Sequence, residues 1–214
     1  MYPSYVTTER INWLIEQSLL EDVGSGDHTS LACIPATQNS HAVLKIKDEG
    51  IIAGVELAKS VLNAVDKNHV FVQHKNDGDN VSFGEIAFEV TANTHALLKA
   101  ERVILNIMQR MSGIATLTRA YVNKLSGYAA TLLDTRKTTP NFRWFEKLAV
   151  TMGGGYNHRF GLYDMIMLKD NHIDFCGGLE KAIDQTRQYL NDKQLSLKIE
   201  IETRTLSDVE RDRK

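Results

Sequence analysis

The stretches MIMLK (165–169), LEKAIDQTRQYL (179–190) and LSLKIEIET (195–203) follow one another in the order strand, helix, strand. MIMLK is a short apolar run ending in a cation, the pattern of a strand buried on both faces. In 179–190, Leu179, Ala182, Ile183 and Leu190 recur at helical spacing, so this segment reads as an amphipathic helix. A strand, a three-turn helix and a second strand make a βαβ unit, whose two strands run parallel.

The same grammar extends in both directions. Upstream, AATLL (129–133) reads as a continuous apolar strand, and FRWFEKLAVTM (142–152) as its helix, with Phe145, Leu148, Ala149 and Met152 at i, i+3, i+4 and i+7. Downstream, TLSDVERDRK (205–214) opens a third helix, with Thr205 as cap and Asp208 three residues on. Three successive βα units predict a parallel sheet with helices outside it. A closed (β/α) barrel takes about eight such units, so the expected architecture is an incomplete (β/α) barrel. A helix start beside the terminus reads as a C-terminally truncated copy of a longer protein.

Residues before about 110 follow a different pattern. Ile11, Leu14, Ile15 and Leu19 mark a first helix, capped by Thr7 or Thr8 and stopped by Gly24. HAVLKIK (41–47), HVFVQ (69–73) and VSFGEIAFEV (81–90) are β-rich, and ELAKSVLNAV (56–65) is a helix between the first two. From Thr94 a long helix carries Leu97, Leu98, Val103, Ile104, Ile107, Met108 and Met111, too many for one narrow stripe, which predicts burial on more than one side. The fold class is therefore α/β, with a mixed α+β domain over 1–115 that includes the start of the linking helix, and the barrel part over 116–214.

The bulk properties exclude several classes. The 25 Lys and Arg against 27 Asp and Glu give a net charge of −2, no general drive toward nucleic acid or an anionic membrane. No apolar run approaches the roughly 18 residues of a membrane span, and no leader pattern opens the chain. The two cysteines, Cys33 and Cys176, have no metal-ligand spacing and argue against a disulfide framework. A cytoplasmic protein is expected.

In parallel α/β architectures, ligands bind at the carboxyl ends of the strands. The first such end is Asp134-Thr135-Arg136-Lys137-Thr138-Thr139 and the second Lys169-Asp170-Asn171-His172, while the third strand carries Glu200 and Glu202 on one face with Lys198. His158 and Arg159 follow the triple glycine Gly153-Gly154-Gly155, which reads as a helix stop. Arg136, Lys137, Arg159 and Lys169 gathered on one rim of an acidic protein would repel one another unless an anion is expected, so the predicted ligand carries several negative charges. His158 and Arg159 lie in a helix-to-strand loop. They reach that rim only if YNHRFG (156–161) belongs to a strand or crosses the floor of the cavity. A lysine at a barrel strand end also suits Schiff-base chemistry, which makes a lyase acting through Lys169 an alternative.

The run DTRKTTPNFRWFEKLAV…GGGYNHRFGLYDMIMLKDNH (134–172) resembles the quinolinate phosphoribosyltransferase family. So do LLEDVGSGDHTS (19–30), DEGIIAGVELA (48–58), DGDNVSFGE (77–85), LLKAERVILNIMQRMSGIAT (97–116) and KIEIET (198–203). The resemblance implies an N-terminal α/β sandwich domain ahead of the incomplete barrel. It also implies the reaction of quinolinate with phosphoribosyl pyrophosphate and Mg2+ to give nicotinate mononucleotide, pyrophosphate and carbon dioxide, a step of NAD biosynthesis. By the same resemblance Arg136, Arg159 and Lys169, with His158 beside them, line the quinolinate carboxylates, and Lys137 serves the phosphate side, with Thr138 and Thr139 offering hydroxyls. Arg102 would reach into a neighbouring subunit's site, making a homodimer or higher homo-oligomer the active form. Glu202, or alternatively Glu200, would be the carboxylate on the ribose and metal side. The catalytic trio is then Lys137, Lys169 and Glu202.

Two departures stand out. Asn141 occupies a position where the family has glycine, and Asn tolerates a left-handed backbone. Family members also continue into strands bearing an aspartate and a glycine-rich phosphate-binding segment, neither of which is in this sequence. A catalytically impaired anion-binding or assembly fragment, or the related molybdenum-transport-associated homologue, are the remaining alternatives.

Overall fold

The computed structural model describes residues 2–212, so Arg213 and Lys214, at the end of the expected third βα unit, lie outside the described residues. The Thr7 hydroxyl accepts from the Arg10 amide and starts α1 (Thr8–Val23), which buries Ile11, Leu14 and Ile15 and stops at Gly24, where φ is 52°. A short helix, α2 (His28–Cys33), follows, capped by Asp27 accepting from the Ser30 amide. Its six residues are too few to show a period in the sequence.

The β-rich segments become β1 (Asn39–Lys45), β2 (Gly50–Ile51), β3 (Val70–Gln73), β4 (Asn80–Val81) and β5 (Ile86–Asn93), with helix α3 (Val55–Val65) between β2 and β3. β1, β5 and β3 form an antiparallel sheet in that order, with Val43 opposite Glu89 and Val72 opposite Glu89 from the other side. β2 and β4 form a separate antiparallel pair. The run 81–90 is thus divided between two sheets rather than being one strand. The Ser82 amide donates to the Glu85 carboxylate at 2.8 Å and Gly84 takes φ 90°, and this turn separates the two pieces.

Asn93 caps α4 (Thr94–Lys124), its side chain accepting from the His95 and Ala96 amides. Ala100, Val103, Ile104, Ile107, Met108, Met111 and Ala115 are buried along this helix, and α1, α3, β2 and α5 (Arg143–Met152) pack around it. Burial on more than one side is therefore present. Leu98, expected inside, is exposed, because it lies on the strip those neighbours leave uncovered. On α5, Phe145, Leu148 and Ala149 are buried as their spacing predicts.

AATLL does not form a strand. Residues 131–139 alternate between exposed and half-buried in an extended course, and the one ladder contact is a parallel bridge between Leu133 and Tyr156. A parallel strand needs partners to satisfy its backbone. Here the Tyr156 amide donates to Leu132 and the Asp134 amide to Tyr156, and no other described segment lies alongside in a ladder. The expectation that YNHRFG belongs to a strand is met only by this isolated bridge at Tyr156, since residues 157–165 form no strand and β6 begins at Ile166.

From Arg159 onward a second compact unit begins, the first ending at His158. The second unit holds β6 (Ile166–Leu168), α6 (Asp170–Cys176), α7 (Leu179–Lys193), β7 (Ile199–Ile201) and α8 (Leu206–Asp212). β6 and β7 pair in parallel, Met167 opposite Glu200, around a small core of Leu168, Leu179, Ala182 and Ile183. Thr205 and Asp208 form the expected capping box, the Thr205 amide donating to the Asp208 carboxylate at 3.0 Å and the Asp208 amide to the Thr205 hydroxyl at 3.2 Å. The fold is mixed α/β, antiparallel first and parallel second, with no closed barrel among the described residues.

Candidate active site

The loop Asp134–Thr139 is held at both ends by consecutive residues of α5. At its first end the Asp134 carboxylate receives the Lys147 ammonium, the His158 amide at 2.9 Å and the Asn157 side-chain amide at 2.6 Å. Lys147, whose side chain is 1% exposed, also donates to the His158 carbonyl at 3.0 Å. At the other end Glu146, also buried, accepts from the Thr139 amide at 3.1 Å and the Thr139 hydroxyl at 2.8 Å. Arg110 of α4 completes this end, its Nε donating to Glu146 at 2.8 Å. The Thr138 hydroxyl accepts from Arg143 Nε at 3.0 Å. Both threonine hydroxyls are thus engaged with protein groups.

Between these anchors project the two adjacent cations. Arg136 is half-buried, and its Nε, shielded from solvent, has no hydrogen-bond partner. Such an atom is costly unless something is meant to pair with it. Lys137 is exposed, with only its backbone amide engaged, donating to the Thr135 hydroxyl at 3.1 Å. Arg102 stands exposed on α4, with no hydrogen bond or ion pair among the described residues. His158 has its backbone fixed on both sides, by Asp134 and by Lys147.

In the second unit Arg159 is 7% exposed and donates through Nη1 to the Met165 carbonyl at 3.2 Å. Lys169 follows β6 directly, and its ammonium lies 3.4 Å from a Glu202 carboxylate oxygen. Both side chains are about half exposed, so this ion pair is worth at most about 1 kcal/mol and can yield to a competing anion. Glu202 itself is set by its amide donating to the Leu168 carbonyl at 2.9 Å. Glu200 is exposed on β7. Each unit therefore presents its own cations, Arg136 and Lys137 with His158 in the first, Arg159 and Lys169 with Glu202 in the second. Among the described residues no three His, Cys, Asp or Glu side chains converge to hold a metal ion.

The family descriptions "Quinolinate phosphoribosyl transferase, N-terminal domain" and "C-terminal domain" match residues 27–112 and 114–212. The chain belongs to the quinolinate phosphoribosyltransferase family. It is 44% identical over 208 residues to quinolinate phosphoribosyltransferase [decarboxylating] 1b of Nicotiana tabacum, covering 97% of this chain and 59% of that protein. A probable nicotinate-nucleotide pyrophosphorylase [carboxylating] of Bacillus subtilis is 46% identical over 190 residues, 89% of this chain and 65% of that one. The crystal structure of NadC from Streptococcus pyogenes superposes with a TM-score of 0.90 at 39% identity, covering 96% of this chain and 72% of that one. This chain thus spans less than two thirds of the length of the curated relatives it matches. No helix is long and apolar enough to cross a membrane among the described residues.

Sequence reasoning missed Asp134, Glu146, Lys147, Asn157 and Arg110 as site-building residues. A signal was present: Glu146 and Lys147 sit between Phe145 and Leu148 on the apolar face of an amphipathic helix, where a charge demands a partner.

Proposed function

We propose that the chain carries the quinolinate phosphoribosyltransferase reaction of its family. The observation that supports this most directly is Arg136, whose Nε is shielded from water and unpaired in a loop anchored at both ends. A guanidinium left in that state suits a ligand carboxylate, which can meet it through paired, parallel hydrogen bonds. In this reading Arg136, Arg159 and Lys169 hold the two carboxylates of quinolinate with His158 beside them, and Lys137 faces the pyrophosphate. Magnesium is part of the substrate, carried by the pyrophosphate, with Glu202 the side chain able to add an oxygen ligand. Arg102, exposed and unpaired, would complete the site of a second copy in a homodimer or higher homo-oligomer in the cytoplasm.

The chemistry needs these charges at separate places. The pyridine nitrogen attacks the anomeric carbon as the bond to pyrophosphate breaks, and positive charge grows on the ribose. The Glu202 carboxylate, once released from Lys169, stabilises that charge, while Lys137 stabilises the departing pyrophosphate. The ring nitrogen, now cationic, withdraws the electron pair left when the neighbouring carboxylate departs as carbon dioxide. Fixed cations stabilise the resulting ring carbanion until a proton replaces the lost group. No enzyme nucleophile is used.

Incubation with quinolinate, phosphoribosyl pyrophosphate and magnesium is expected to yield nicotinate mononucleotide and carbon dioxide, with Arg136→Ala lowering kcat/KM by about 100-fold or more, the scale of a lost charged contact. A second reading is an anion-binding form without turnover, which the same unpaired Arg136 would serve. Calorimetry separates the two: quinolinate binding with no product favours the second, and no binding at all defeats both.

A further inference from the structure

Glu146 and Lys147 are neighbours in sequence, carry opposite charges and are both buried on α5. Helix geometry points consecutive residues about 100° apart, so the pair diverges, one side chain toward Thr139 and the other toward Asp134. The four residues between those contacts have little backbone bonding of their own. The Thr138 amide donates to the Arg136 carbonyl at 2.9 Å and the Phe142 amide to the Thr139 carbonyl at 3.2 Å. A loop so sparsely bonded would be mobile if its ends were loose. Burying two opposite charges on one helix is a poor route to stability, since apolar residues of similar size would serve at lower cost. Their value is geometric.

We infer that Glu146 and Lys147 are positioning residues that clamp the two ends of the Asp134–Thr139 loop and thereby fix Arg136 for the ligand carboxylate. As a positioning role this rests on the functional reading above; as a clamp it stands on the hydrogen bonds alone. Arg110 belongs to the device, since its guanidinium holds Glu146 from α4 at 2.8 Å and so ties the loop to the longest helix of the chain.

The loop supplies its own probe, because trypsin cuts after Arg136 and Lys137. Brief digestion of the folded chain, read by mass spectrometry as new termini at Lys137 and Thr138, reports how firmly the loop is held. Glu146→Gln and Thr139→Val, which remove the charge and the hydroxyl from one end of the clamp, are expected to speed this cleavage about tenfold, and Thr139→Ser to restore the slow rate. The same two clamp variants should weaken quinolinate binding by calorimetry about tenfold. Unchanged cleavage in both variants overturns the clamp. Faster cleavage with unaltered quinolinate affinity overturns the positioning role. A wild-type chain that binds no quinolinate overturns the functional reading by itself, while the cleavage rates still decide the clamp.

Discussion

Asp77 and Asp134 are both sheltered carboxylates, satisfied by different means. Asp77 has no cationic partner among the described residues. Its Oδ1 accepts from the Gly54 amide at 2.6 Å and the Val55 amide at 2.8 Å, capping α3 where Gly54, at φ 98°, has no side chain to do so. Burial pushes the Asp77 carboxyl above its ordinary range, and the backbone donors only partly offset it. An acid with a raised folded pKa binds its proton more tightly when folded, so its stabilising contribution is full below the unfolded value near 3.8 and is lost as pH rises through the folded one. Urea midpoints of wild type and Asp77→Asn should accordingly shift in favour of the variant between about pH 3 and pH 7; a shift toward wild type contradicts this. Asp134, by contrast, pairs with Lys147. Removing the cation in Lys147→Met leaves a buried carboxylate without its counter-charge, at an expected loss of about 3–5 kcal/mol by chemical denaturation. Adding Asp134→Asn to that variant should recover a large part of the loss; a single variant costing less than about 1 kcal/mol would show that the pair is not effectively buried. Arg136, Lys137 and Lys169 stood out in the sequence because charge after an apolar run is visible in one dimension. Asp134 and Lys147 were not, because their pairing spans 13 residues and depends on the loop turning back over α5.

At the level of elements, the longer helices were readable, the short α2 and α6 were not, and the parallel strands were so only partly. A helix satisfies its own backbone, so a period in the sequence suffices; a parallel strand is made by its neighbours, which the sequence of AATLL does not reveal. The glycine stop after α5 does more than end the helix. A Cβ on Gly153 would stand 2.4 Å from the Ala115 carbonyl oxygen and 2.6 Å from Thr118 Cβ, so the glycine lets the end of α5 approach α4 closely. Gly153→Ala is expected to cost about 1–3 kcal/mol through that backbone clash. Gly113 provides the opposite case on α4, since a Cβ there meets nothing within 4 Å. Gly113→Ala should stabilise by about 0.5–1 kcal/mol through helix propensity. Thermal denaturation of the two variants checks both signs, and equal shifts in one direction would refute the close-approach argument. Asn141 fits the same logic from the other side: φ is 63°, a left-handed value that Asn accepts at small cost.

Across the whole chain, stability is unevenly provisioned. The first unit gathers a continuous apolar cluster from α1, α3, β5, α4 and α5, whereas the second relies on Leu168, Leu179, Ala182 and Ile183 with a fringe of half-buried isoleucines. Phe175 and Leu206 of the second unit are 91% and 84% exposed, so its apolar residues are only partly used for burial. A core of that size supplies only a few kcal/mol against the entropy of ordering its segment. Local opening free energy follows buried apolar contact, so the second unit should open at lower free energy than the first. Hydrogen–deuterium exchange is therefore expected to label the amides of β6, β7 and α7 well before those of α3 and the middle of α4. The ion pair Lys169–Glu202 lies in that more labile part, so quinolinate held by Lys169 should slow exchange around β6 and β7 by mass action. Protection in α7 equal to that in α4 without ligand would refute the ranking. Unchanged exchange near β6 at saturating quinolinate would remove Lys169 from the proposed carboxylate site.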